Sequence, residues 1–367
     1  MARKPTSRGR ADRAVPRAAS ENRTDSVLDV TVVLLPDGHP STAIGPIEVF
    51  HSAGLLWNWL HGEAQHPRFR VRIASIDGRS VNSLCALGLS PQCAIGDIKR
   101  TDIIILSTSG WDVLEQIART SPLLPWLRKW HSRGAYVAGI CTAVAFLAES
   151  GLLDGRRATT HWGVAERFRQ RYPKVLWQPE RFVTEDNRLL CSGGVYSSID
   201  LSLYLVEKFC SHEIALKCAK SLLLSMPRSQ QSGYSMVPLS HPHSDDKIRQ
   251  TEEYLQEHFA HGVSIDTLAD RAGMGPRNFI RRFKAATGRL PGAYIQMLRV
   301  SAAKEMLEHG APSVQAVSSK IGYEDIAFFR SLFKRHTGMT PGEYRDRFAQ
   351  MTFDRGELAS GRPAPLA

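Results

Sequence analysis

The sequence predicts an α/β sandwich of flavodoxin-like class followed by an all-α double helix-turn-helix domain. Three observations predict it. Apolar strand-like runs alternate with helical stretches across residues 28–210, which argues for a mostly parallel sheet covered by helices. A helix-turn-helix grammar fills Val314 to Phe348, with a short helix, a tight Gly322-Tyr323 turn, a second helix ended by Gly338 and a restart at Pro341. The same grammar occurs about fifty residues upstream, from Ser264 to Arg299, and a duplicated reading unit points at double-stranded DNA.

Taken in order, Leu28 to Leu35 reads as a buried strand, Ile44 to Leu60 as helix, and Phe69 to Ile76 and Asp102 to Leu106 as further strands. Tyr136 to Ile140 is a strand that runs straight into Cys141, and Thr142 to Ser150 is the helix after it. Short strands are expected at Ala158–Thr160 and Leu189–Cys191, and a closing helix from Ser197 to Cys210. Sites in such sheets lie at the carboxyl ends of strands. There, in AGICTAVAFLAESGLLDG (Ala138 to Gly155), a glycine, one residue, a cysteine and small residues open a helix. That is the pattern of a nucleophile elbow, in which small neighbours permit a sharp turn and a helix N-terminus favours thiolate. His161 is a candidate base about twenty residues on, and the backbone N–H groups of Thr142 and Gly110 are candidate oxyanion donors.

In the first reading unit, Leu268 and Ala272 give the first helix an apolar face and Asp266 stands near its start, where an anion suits the dipole. Gly273-Met274-Gly275 makes the turn, Pro276 occupies the first turn of the second helix, and Gly288 caps that helix after Thr287. Phe279 and Phe283, four apart, are expected to face the core; Arg277, Asn278, Ile280, Arg281 and Lys284 then face outward as DNA-reading residues. Between Met274 and Arg289 there are five Lys/Arg and no acids. In the second unit, Phe329 and Phe333 take the core positions, and Asp325, Ile326, Ala327, Arg330, Ser331 and Lys334 are the reading candidates. A linking helix from Tyr294 to Leu307 carries Ile295, Leu298, Ala302 and Met306 at 3–4 spacing, fixing the distance between two reading helices. Helices entering adjacent major grooves on one DNA face must lie about 34 Å apart.

On these residues the segment from about Asp245 to Phe348 resembles the AraC/XylS-type DNA-binding domain. The signature is IGYEDIAFFRSLFKRHTGMTPGEYR, echoed as FKAATGRLPGAY in the first unit. The resemblance implies seven helices, two DNA-reading heads and usually an activator that touches RNA polymerase. Residues from about 28 to 215 resemble the class I glutamine amidotransferase-like superfamily, which includes PfpI-type proteases. Its combination with an AraC-type tail is similar to the GlxA-like and arginine-regulator-like group, and GLLDGRRATTHW and IGPIEVF carry that match.

The sequence departs from the catalytic pattern of that superfamily. The loop after Leu106 reads Ser107-Thr108-Ser109-Gly110-Trp111 instead of Pro-Gly-Gly, no carboxylate stands two residues after His161, and Glu48 lies further along its helix. The expectation is therefore a non-catalytic cleft, with Cys141 and His161 vestigial, reused to bind an effector among Cys141, Thr142, His161, Trp162, Gly110 and Trp111. Aromatic faces there suit a cationic or zwitterionic nitrogen metabolite, and the resemblance implies arginine-, betaine- or carnitine-like compounds. The alternative is a cysteine-dependent amidase or protease-like enzyme with a DNA-targeting module. Trp57, Trp59, Trp126 and Trp130 read as packing or interface residues.

The 367 residues give room for two domains and tails. We expect a disordered basic tail over 1–24, a sensor domain over 25–225, an exposed Ser/Pro/Gln-rich linker over 226–244, a DNA-binding domain over 245–350 and a C-terminal tail over 351–367. The net charge of +11 is uneven: 1–24 hold seven Lys/Arg against two acids, while 241–350 are only +3, so the basic character of the reading domain is concentrated on one helix. Six cysteines without paired spacing, no long apolar run and no apolar stretch after the charged start fit reduced thiols, no membrane span and a cytoplasmic protein. No metal site and no cofactor are read from the scattered histidines, and a homodimer is expected.

Overall fold

The computed structural model describes residues 27–226, 231–234, 243–310 and 313–349. The expected tails at 1–24 and 351–367 lie outside the described residues, as does most of the expected linker.

The first part of the chain runs β1 (Leu28–Val33), α1 (Ser41–Ser52), α2 (Leu56–Leu60), β2 (Phe69–Ser75), β3 (Val81–Asn82), β4 (Gly88–Leu89), β5 (Cys93–Ala94), β6 (Ile103–Leu106), α3 (Val113–Arg119), α4 (Leu123–Ser132), β7 (Tyr136–Ile140), α5 (Val144–Glu149), β8 (Arg157–Ala158), α6 (Ala165–Arg171), β9 (Leu176–Trp177), β10 (Val183–Asp186), β11 (Leu189–Ser192), α7 (Ser197–Phe209) and α8 (His212–Ser221). Seven strands form one sheet in the order β10-β11-β7-β6-β1-β2-β5, parallel except for the β10–β11 pair. Strand side chains alternate faces. Val30, Val32, Ile103, Ile105, Ala138 and Ile140 therefore enter one core with α1 and α7, while Val33, Ile104, Leu106 and Val137 enter the other with α4 and α5. Burial on both faces is why these strands read as continuous apolar runs.

The single helix expected from Ile44 to Leu60 is two helices, because Gly54 adopts φ +76° and a Cβ there would meet His66 O at 2.1 Å. The helix expected to begin at Thr142 begins as a tight 3-10 turn over Cys141–Ala143. Trp126 and Trp130 pack in the core, whereas Trp59 is exposed.

Seven helices follow among the described residues: α9 (Asp246–His258), α10 (Ile265–Arg271), α11 (Pro276–Thr287), α12 (Pro291–Glu308), α13 (Val314–Lys320), α14 (Ile326–Thr337) and α15 (Pro341–Phe348). They build two small cores. One holds Ile248, Leu268, Phe279, Phe283, Tyr294 and Leu298; the other holds Val300, Leu307, Val317, Phe329, Phe333 and Tyr344. α12 starts three residues before the expected Tyr294. It feeds both cores, so its buried positions wrap around it, and Ile295, Ala302 and Met306 are only half-buried. Among the described residues no helix is long and apolar enough to cross a membrane.

The linker expectation fails at 231–234. Ser232–Tyr234 form a 3-10 turn and Gln231 is buried. Polar composition predicts exposure only when no partner supplies hydrogen bonds, and here the Gln231 N–H donates to Glu180 O at 2.7 Å.

Candidate functional site

Two places concentrate functional geometry: the carboxyl end of the sheet and the outer faces of α11 and α14.

At the sheet, Cys141 stands on β7's exit with φ +55°, a left-handed conformation that non-glycine residues seldom adopt. The surroundings hold it there. A Cβ on Gly139 would come within 3.0 Å of Val144 Cα. Thr160 Oγ1 donates to Cys141 O at 2.9 Å, and Thr142 Oγ1 donates to Ser109 O at 3.2 Å. The elbow expected from the sequence is therefore present. Its expected thiolate is not. Burial pushes the Cys141 thiol up to about 12, against weaker opposing hydrogen bonds from the backbones of Thr142 and His161. The following turn and the short α5 do not offset that desolvation.

His161 does not complete a dyad by its ring. The Gly163 N–H donates to Nδ1 at 3.0 Å, which leaves the neutral ring's proton on Nε2, and burial lowers the ring's basicity further. The Gly110 N–H, expected as an oxyanion donor, donates instead to Pro36 O at 3.1 Å. The loops after β1 and β6 are fastened together: the His39 N–H donates to Thr108 Oγ1, the Thr108 N–H donates to Thr42 Oγ1, and Gly38 has no room for a Cβ beside Thr108 O. Glu48 is exposed. The Asp37 carboxylate, on the loop after β1, accepts from Gln116 Nε2 at 2.9 Å; Gly110 lies against it, where a Cβ would sit 2.9 Å from Asp37 Cβ.

The expected aromatic cage is divided. Trp162 stacks at a tilt on His161, with centroids 5.1 Å apart, whereas Trp111 is 73% exposed and meets His39 edge-on at 6.2 Å. Cys141, Thr142 and Gly110 are buried. Among the described residues, open cavities also lie beside Gly233, Tyr234 and Lys304, between α2 and α8, and around Asp29 and Arg100.

The helical part repeats itself at atomic detail. Phe279 and Phe283 are buried with centroids 5.5 Å apart, and Phe329 and Phe333 with 5.7 Å. Each second phenylalanine meets a tyrosine edge-on, Phe283–Tyr294 at 5.3 Å and Phe333–Tyr344 at 5.4 Å. Each helix ends on a threonine hydroxyl that donates to the carbonyl four residues back, then on a left-handed glycine, Gly288 at φ +74° and Gly338 at φ +77°. The inward aromatic pair fixes the outward face. On α11, Arg277, Asn278, Arg281 and Lys284 are exposed and Ile280 is half-buried, with Arg281 donating to Asn278 Oδ1 at 2.9 Å. Two of the five basic residues counted in the sequence are committed elsewhere: Arg282 pairs with Asp245 at 2.8 Å, and burial lowers the Arg289 guanidinium. On α14, Ala327, Arg330, Ser331 and Lys334 are exposed and Ile326 is half-buried. The Asp325 carboxylate caps the helix, accepting from the Ala327 and Phe328 N–H groups. Sequence reasoning missed Phe328, 47% exposed on this helix, and the exposed Arg335. Three phenylalanines within six residues signalled that one of them had to point outward.

Arg299 of α12 sets the separation of the two units. Its guanidinium donates to Phe259 O, Gly322 O and His261 O and lies over the Tyr323 ring at 4.7 Å.

Comparison with known proteins agrees with this division. A DJ-1/PfpI family model matches residues 30–208, and a helix-turn-helix domain model matches 268–347. Among curated proteins, the chain is 28% identical over 278 residues to the HTH-type transcriptional regulator CdhR of Pseudomonas aeruginosa, covering 76% of this chain and 82% of that one. It is 28% identical over 240 residues to the HTH-type transcriptional regulator ArgR of the same organism, covering 64% and 71%. It is 25% identical over 233 residues to the HTH-type transcriptional regulator GlxA of Rhizobium meliloti, covering 63% and 71%. A crystal structure of an AraC family transcriptional regulator from Pseudomonas putida aligns at 20% identity and a TM-score of 0.45, covering 53% of this chain and 99% of that one.

Proposed function

The chain is a transcriptional regulator that joins a DJ-1/PfpI-family domain to an AraC-type helix-turn-helix domain, and from that premise we propose that it activates promoters in response to a small nitrogenous metabolite held by a non-catalytic sensor. The observation that carries the DNA half is the pair of inward Phe–Phe–Tyr clusters. They oblige α11 and α14 to present Arg277, Asn278, Arg281 and Lys284, and Asp325, Ala327, Arg330, Ser331 and Lys334, to solvent, with Ile326 half-buried at the edge of its face and Ile280 turned partly against the core. Such faces suit base edges and phosphates of adjacent major grooves.

The observation that supports the non-catalytic half is the geometry around Cys141: the thiol is buried, it meets the backbone and not the ring of His161, and that ring's Nδ1 already accepts from the Gly163 N–H. Amide hydrolysis needs that nucleophile activated and a free oxyanion donor, and the Gly110 N–H is taken. The effector site we propose centres on His161 and Trp162 over Cys141, Thr142 and Gly110, with Trp111 at its rim. We place the sensor at 25–225 and the reader at 245–350, acting in the cytoplasm as a homodimer that contacts RNA polymerase. Thermal-shift screening of arginine-, betaine- and carnitine-like compounds against the full chain, paired with footprinting of promoter fragments, tests the reading. Stabilisation by such a compound together with a changed footprint supports it; amide hydrolysis lost in Cys141→Ala favours the enzyme instead.

A further inference from the structure

The segment 231–234 touches both halves of the molecule. The Gln231 side chain is 2% exposed inside the sensor. Its Nε2 donates to Thr160 O at 2.8 Å and Arg181 O at 3.0 Å, with Thr159 Oγ1 at 3.3 Å. Its amide lies flat on Gly193, where a Cβ would stand 2.6–2.7 Å from Oε1, Cδ and Nε2. Three residues on, the Tyr234 ring is held edge-on between Phe182 of the sensor at 5.6 Å and Phe348 of α15 at 4.9 Å, and Arg347 donates to its hydroxyl at 3.1 Å. Gly233 lies against Met339 and Thr337 O, where any Cβ would collide. The strap thus plugs the sensor at one end and grips the second reading unit at the other.

The plugged pocket has a definite chemistry. It presents two backbone carbonyls and a hydroxyl to one planar nitrogen group, over a floor made flat by a glycine. Thr160 is the residue before His161, and it also bonds the Cys141 carbonyl, so the pocket adjoins the proposed effector site. We propose that the Gln231 carboxamide is a tethered occupant of an effector subsite. A free ligand carrying a planar group with two N–H donors (a primary carboxamide, amidinium or guanidinium) competes with it, and its entry releases the strap from the second reading unit. The proposal rests on the regulator reading above and names the polar end of its site.

The test uses the full-length chain with acetamide and methylguanidinium as probes. Hydrogen exchange at the Gln231 and Tyr234 backbone N–H groups reports the strap, since these donate to Glu180 O and Gln231 O. Two net hydrogen bonds are lost when the amide leaves, so Gln231→Ala should speed exchange across the strap by about tenfold or more. Gly193→Ala, whose Cβ displaces the amide, should do the same. In the unaltered protein methylguanidinium should speed strap exchange. In Gln231→Ala it should bind more tightly, by thermal shift, and no longer affect the strap. Loss of stability in both variants with strap exchange indifferent to either probe would overturn the proposal and leave Gln231 a packing residue. Failure of the full-length protein to footprint any promoter would sink the regulator reading instead, while the exchange measurement would still decide whether the pocket is competed.

Discussion

At Cys141 two tendencies compete. A turn into a helix draws the thiol toward thiolate, and burial resists it. Burial wins here and pushes the Cys141 thiol up to about 12, so the reactive thiolate is scarce at neutral pH. Iodoacetamide should therefore modify the exposed Cys85 well before Cys141, and Cys141 labelling should climb about tenfold per pH unit above neutrality. Peptide mass spectrometry reads both; equal labelling at pH 7 would contradict the vestigial assignment. The elbow was legible because Gly139, Cys141 and small residues follow a strand. The protonation state was not, since it depends on enclosure by loops far away in sequence. On α11 the argument is simpler. Arg281 is exposed and braced by Asn278, so Arg281→Ala should weaken cognate binding by about 1–3 kcal/mol and relax sequence preference. Titration against cognate and scrambled duplexes separates that from a phosphate contact, which would weaken both alike.

Among the elements, the turns and caps carry the most position-specific information. Gly322 has φ +85°, and a Cβ there would sit 2.0 Å from Ala260 O, beside the Arg299 guanidinium. Gly322→Ala meets both a strained backbone and a collision, so a loss of about 1–3 kcal/mol or more in the stability of the second unit is expected by chemical denaturation. The N-cap Asp245 of α9 accepts two hydrogen bonds from Arg282, and that guanidinium holds its carboxyl below the usual range. A depressed carboxyl stabilises the fold above the unfolded value, about 3.9, and that contribution fades as pH falls through the lower folded value. Asp245→Asn should therefore be less stable than the unaltered chain at neutral pH, with the difference closing in acid; a constant difference from pH 7 to 2 would deny the pairing its role. The strong strands and the reading helices were readable because their periods run unbroken. β3, β4, β5 and β9 are two residues each, too short to show a period. α12 lost its expected face because it is buried against two cores.

For the molecule as a whole, composition located two functional halves but not their connection. The stretch over 226–244 is polar, and polarity hid Gln231 because its burial is secured by hydrogen bonds instead of apolar area. Tyr234 was hidden for another reason: its two aromatic partners, Phe182 and Phe348, are 52 residues before it and 114 after it, and no local pattern records such a pairing. This contact makes the regulation quantitatively testable. If an effector changes affinity for promoter DNA by some factor, the promoter must change affinity for that effector by the same factor, because both measure one coupling free energy. Tyr234→Ala removes the ring shared by the two halves without touching either the α11 face or the residues around His161. Its affinity for DNA should stay near that of the unaltered protein and its affinity for effector should rise, because the strap that competes for the subsite is held less firmly, while both coupling factors fall together toward one. Calorimetric titration of effector with and without duplex, set beside duplex titration with and without effector, closes the cycle. Coupling that survives intact in Tyr234→Ala would mean that the signal travels by another path, such as contacts between two copies of the chain.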